Sequence, residues 1–288
     1  MEKQQILDIV GEELAKSTRN NFAKLERPED HIWTDFIGGF AAGDDPLFAF
    51  FKEDIGDFFW SPAEAFRKKY PDATVTDSDV TVLSLGFRVD ELTRQIQREQ
   101  KTIPSFRWLY ARNSWEPIIE EITDGVVARL KEQGITAVVV DTAPGFGWQK
   151  SEKYGLCSNW SHRHAAYVAG LGTFGLCDGL ITSIGKALRW TTLILDKKYP
   201  ADPRPYTGIH DYCLYYKDGS CRACINACPV HAISGEGHDK APCEAYVGEI
   251  KKSYRHSGPF NAEGPCGCGL CQGNVPCQNG IPAACLKK

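Results

Sequence analysis

Ten of the 12 cysteines fall after residue 205, at Cys213, Cys221, Cys224, Cys228, Cys243, Cys266, Cys268, Cys271, Cys277 and Cys285. This stretch is rich in Gly and Pro and poor in periodic apolar residues, so it buries little core and needs ligands to hold it together. In a reducing compartment, clustered thiols ligate metals or cofactors rather than pair as disulfides. Cys221-x-x-Cys224-x-x-x-Cys228-Pro229 matches the end of a bacterial ferredoxin run, whose Cys before Pro crosses to the other cluster. Structural zinc prefers two Cys-x-x-Cys pairs around one ion and fits the three-residue gap poorly. Cys213 supplies the missing thiol if residues 214–220 loop out, which Asp218-Gly219 favours as a turn. The crossover assigns Cys213, Cys221, Cys224 and Cys277 to one 4Fe–4S cluster, and Cys228, Cys243, Cys268 and Cys271 to the other. Cys157, Cys177, Cys266 and Cys285 are left as buried thiols, although Cys266 and Cys268 could exchange roles.

Composition narrows the partners. A net charge of −4 over 288 residues gives no sign of a phosphate-rich ligand, and the basic pairs are scattered. No apolar run reaches the length of a membrane span, and the N-terminal stretch lacks a signal-peptide core. A cytoplasmic protein is expected.

The first 205 residues carry ordinary folding signals. Ile6, Val10 and Leu14 recur at helical spacing. Ser61, Pro62 and Glu64 mark a helix start, and Pro71 marks its end. Ile118, Ile122, Val126 and Leu130 predict a helix closed by Gly134. Residues 79–87, 135–141 and 189–196 read as buried strands. "DFIGGFAAGDDPLFAFF" either covers a pocket or packs in the core. The proline-rich "KKYPADPRPYTG" reads as a linker and places a boundary near residue 205.

Gly170, Gly172 and Gly175 match the Gly-x-Gly-x-x-Gly spacing of dinucleotide sites. That fingerprint must follow a strand and open a helix. Here it follows a helical stretch capped by Ser161 and precedes an extended one, so a Rossmann site is disfavoured. Asp141 ends a predicted strand and enters a Pro/Gly loop, where open α/β sheets bind ligands. It reads as a general acid with a raised pKa, or as a cap of the turn after it. His162 and His164 are two apart and a poor metal pair, and either reaches a ligand or packs. Tyr167 lies on about the same face as His164 and either donates a proton or packs.

"WSHRHAAYVAGLGTFGL", the "LSLGF" strand and the Cys-Pro cluster followed by "CGLCQGNVPC" together resemble the epoxyqueuosine reductase family, cobalamin-dependent iron–sulfur reductases related to reductive dehalogenases. The likeness runs from about residue 75 to 285. It implies a mixed α+β or α/β, nitroreductase-like corrinoid-binding domain over 1–205 and a two-cluster, ferredoxin-like domain over 206–288. It also implies that Gly170, Gly172 and Thr173 touch a base-off cobalamin, with Ser161, His162 and His164 beside it, and that Asp141 or Tyr167 gives a proton. A low-potential ferredoxin- or flavodoxin-type donor would supply electrons. The chain lacks the helical-repeat region of the family members that act on transfer RNA, and an insertion separates Asp141 from the glycines. Together with the acidic charge, these departures point to a small-molecule substrate rather than nucleic acid. The rival expectations are a flavin in place of cobalamin, or an electron-transfer protein serving a partner enzyme.

Overall fold

The computed structural model describes residues 1–286. Four strands form its main sheet: β1 (Trp33–Ala42), β2 (Thr81–Val89), β3 (Ala137–Val139) and β8 (Leu188–Leu195), in the order β1-β2-β8-β3. The hairpins between them are β4 (Trp148–Ser151) with β5 (Gly155–Ser158), and β6 (Gly172–Phe174) with β7 (Leu180–Thr182). Every pair in the main sheet is antiparallel. This settles on α+β the mixed class read from the sequence. Asp141 therefore cannot be placed by the rule for parallel sheets.

Helices cover both faces of the sheet. α1 (Lys3–Lys16) and α6 (Trp115–Glu132) pack on Phe40, Leu83, Leu85, Phe87, Leu193 and Leu195. α2 (Pro46–Ile55), α3 (Pro62–Lys69) and α7 (His162–Val168) pack on Ala41, Val82, Val138 and Ile194. Alternate residues of each strand thus enter opposite cores, so β2 is buried almost throughout rather than exposed at every second residue. The local signals form as read. Ser61 and Glu64 make a capping box, Ser61 Oγ accepting from the Glu64 N–H. Gly134 closes α6 at φ +71°, where a side chain would strain the backbone.

Two elements differ from expectation. β3 is only three residues long and passes into a 3-10 turn at Val140–Thr142, so Asp141 sits in that turn. "DFIGGFAA" is the edge strand β1 rather than a cover. Its glycines are a packing requirement, because a Cβ at Gly39 would lie 2.7 Å from the Ala169 carbonyl oxygen where α7 ends.

The cysteine-rich segment holds α8 (Leu214–Asp218), α9 (Ala223–Ala227), a small hairpin of β9 (Ile233–Ser234) and β10 (Gly237–His238), α10 (Lys240–Tyr254) and α11 (Ala283–Leu286). It shares a core with the sheet: Tyr206, Tyr212, Cys213, Cys224 and Ile233 pack with Val82 and Ile194. Between β2 and α6, α4 (Glu91–Glu99) and α5 (Phe106–Asn113) also lean on it. Leu109 packs on Ile250 and Phe260, and Gln97 Nε2 donates to the Cys268 carbonyl at 3.1 Å. The chain near residue 205 therefore does not separate independent cores.

Candidate functional site

The chain brings Cys213, Cys221, Cys224 and Cys277 to the lining of one pocket, also lined by Lys186, Tyr212 and Tyr215. Three secondary elements deliver these thiols. Cys213 caps the start of α8, Cys224 lies in α9, and Cys277 follows the short turn at Leu270–Gln272. Among the described residues, no three His, Cys, Asp or Glu side chains close on a single-ion site. The thiols ring a cavity instead, which suits a bulky cluster better than one tetrahedral ion.

The second group is drawn together through its charges. Burial pushes the Cys268 thiol up to about 12, and Cys243, Cys228 and Cys266 add to the effect. Burial also raises Cys266, but the charges that bear on it come from Arg112 and Lys251. Cys266 and Cys268 both pack against Leu109, Ile250 and Phe260, so the choice between them stays open.

Cys177, read from sequence as a spare thiol, stands between the two groups. Hydrogen bonding with Cys224 and Cys271 holds it well below the usual thiol value, as do Lys186's charge and hydrogen bond. Lys186 Nζ donates to its sulfur at 3.1 Å, and the residue is 3% exposed. Burial works against the Lys186 ammonium, but Cys177, Cys277, Cys271 and Cys224 outweigh it and hold the pKa above the usual value. Sequence reasoning missed Lys186, since a lone lysine in a Gly-rich turn carries no local sign of burial.

Asp141 and the α7 histidines form a separate polar site. Thr191 Oγ1 donates to Asp141 Oδ2 at 2.5 Å, and Thr192 Oγ1 lies 2.9 Å from His162 Nδ1. His162 Nε2 is 3.3 Å from Asp141 Oδ1 but lacks hydrogen-bond alignment. Burial pushes the Asp141 carboxyl up, yet the nearby charge of His162 and the hydrogen bond from Thr191 leave it below the ordinary value. The raised pKa expected of a general acid is not found.

The remaining expected ligand contacts have other partners. A Cβ at Gly170 would lie 2.5 Å from the Pro203 carbonyl oxygen, and one at Gly172 would lie 2.2 Å from that of Ile181. Thr173 is fully buried and accepts the Tyr212 N–H at 2.9 Å. Tyr167 stacks on Tyr206 with ring centroids 5.1 Å apart. Ser161 Oγ holds His164 Nδ1 at 2.7 Å, and His164 lies against Phe51 and Phe174. Gly170, Gly172 and Thr173, the cobalamin contacts that the resemblance implies, thus also carry packing.

No family model matches the chain. The proteins it resembles fall in one class, reductases. It is 35% identical over 114 residues to the epoxyqueuosine reductase of Leadbetterella byssophila, a segment that makes up 38% of this chain and 35% of that protein. The chain thus spans about a third of the length of that relative. A crystal structure of epoxyqueuosine reductase with a modified tRNA stem loop aligns at TM-score 0.49 and 15% identity, over 97% of this chain and 66% of that one. A reductive dehalogenase described in terms of B12-dependent dehalogenation aligns at TM-score 0.40 and 19% identity, over 60% of this chain and 24% of that one. No described helix is long and apolar enough to cross a membrane.

Proposed function

We propose that the chain is an oxidoreductase that carries two 4Fe–4S clusters and reduces a small molecule. The observation that supports it most is the lining of one cavity by Cys213, Cys221, Cys224 and Cys277, which lie up to 64 positions apart in sequence. When bound, such clusters take and give single electrons from a low-potential donor of ferredoxin or flavodoxin type. Cys228, Cys243, Cys268 and Cys271 would hold the second cluster. Lys186 offsets thiolate charge where Cys177 meets both groups, which lowers the cost of keeping so many anions in a buried place. Asp141 is placed to hold or pass a proton at Oδ1 beside His162. The corrinoid that the resemblance implies would be held by Gly170, Gly172 and Thr173 with Ser161, His162 and His164 beside it, and would supply the reducing cobalt centre.

Purification and reconstitution under argon with iron and sulfide test this reading. The expected product is brown, with about eight irons per chain. A colourless protein holding stoichiometric zinc would overturn it. The reconstitution spectrum also tests the organic cofactor: base-off cobalamin bands after incubation support the corrinoid, and flavin bands support the flavin alternative.

A further inference from the structure

A second cavity opens between the start of β8 and the loop at Gly267 and Gly269. Trp33, Trp108, Arg112 and Arg189 line it. Six buried side-chain polar atoms among the described residues lack a hydrogen-bond partner, and two of them, Arg189 Nε and Trp33 Nε1, belong to residues of this one cavity. Buried donors left unpaired each cost free energy, so two lining the same space call for an acceptor.

The charge is equally one-sided. Arg189 makes no hydrogen bond or ion pair among the described residues and only a loose approach to the Trp115 ring, 6.0 Å from its centroid. The nearby carboxylates are already engaged. Glu116 pairs with Arg112 at 2.9 Å, and Asp141 accepts from Thr191. Burial lowers Arg189 from the usual arginine value, and Arg112 adds to this, yet a guanidinium stays charged in proteins. The sheet explains why the space exists. β3 pairs with β8 only at Leu193, Ile194 and Leu195, so the first residues of β8 have no strand on that side.

We infer that this cavity binds an oxyanion, a carboxylate or phosphate group carried on a flat apolar body, with Arg189 and the Trp33 N–H as its donors. An arginine fork matches either group, and the indoles of Trp33 and Trp108 suit a flat body. This goes beyond the reductase reading and does not rest on it, since the donors line the cavity whether or not the cysteines hold clusters.

Anaerobic calorimetric titration of the full chain with benzoate, phenyl phosphate and the neutral benzamide tests it. Benzoate or phenyl phosphate binds, the tighter of the two identifying the anion, and benzamide does not. Arg189→Met weakens that binding at least about tenfold, a loss of about 1.4 kcal/mol. The same variant melts no lower than the parent without ligand, because the Arg189 side chain has no ion pair to lose. Trp33→Phe keeps the ring, removes the N–H and weakens anion binding without lowering the melting temperature. The inference is overturned if neither anion binds the parent or if benzamide binds as well as the anions. It is also overturned if Arg189→Met melts lower than the parent, or if Trp33→Phe binds the anion unchanged.

Discussion

The Lys186 ammonium lies 3.1 Å from the Cys177 sulfur, with both side chains buried where the cysteine-rich segment meets the β6–β7 hairpin. Cys177 in turn touches Cys224 and Cys271, one from each thiol group. A single cation thus serves an interface that four distant stretches of the chain create.

Removing one partner of a buried pair leaves the other uncompensated. Lys186→Met should cost about 3–5 kcal/mol of stability, measured by denaturant unfolding of the reconstituted protein. The double variant with Cys177→Ala should recover much of the loss. Equal losses in the single and double variants would show that the pair is not coupled.

His164 gives a pH dependence of definite sign. Burial, then the Arg163 charge, lowers its pKa from the ordinary value of 6.5 to about 4. The unfolded chain takes up the proton first, so stability is intact above about pH 6.5 and falls as pH drops towards 4. The loss is on the order of 2 kcal/mol, discounted for the ring's partial exposure. His164→Asn should flatten that region of a melting-temperature profile, and an unchanged slope would assign it to other groups.

Iron counting separates the thiols. Cys221→Ser or Cys277→Ser should remove about four irons per chain under anaerobic reconstitution. Cys157→Ser, in the β4–β5 hairpin, should remove none. Cys268→Ser should lose iron and Cys266→Ser should not, as the proposed ligand set requires. Equal losses at these last two positions would contradict the grouping.

Gly172→Ala asks whether the glycine segment serves a ligand or the fold. The added carbon would meet the Ile181 carbonyl oxygen, so the β6–β7 pair must move apart. A fall in stability of about 2 kcal/mol or more is expected in protein free of any organic cofactor. A stable variant would reopen the ligand role.

The sequence was most informative where cause and effect are close along the chain. The Ser61 capping box, the apolar faces of α1 and α6, the α7 start at Ser161 and the Cys221–Cys228 run all depend on neighbours within a few residues. β1 was hidden because Asp35, Gly38 and Gly39 weaken its local preference, and they are there for contacts with β2, Leu7 and α7. The strand ending at Asp141 read too long because an apolar run does not say where its partner stops.

Residue order alone indicated the capped helices, the dense thiol spacing and the resemblance to a reductase family, since each is written in short-range pattern. Only the tertiary structure decided that the sheet is antiparallel, where β1 and β3 run, that Lys186 is buried against Cys177, and that Arg189 and Trp33 share a cavity. Those outcomes depend on which distant surfaces exclude water together, and burial of this kind leaves no mark on the residues beside it in the chain.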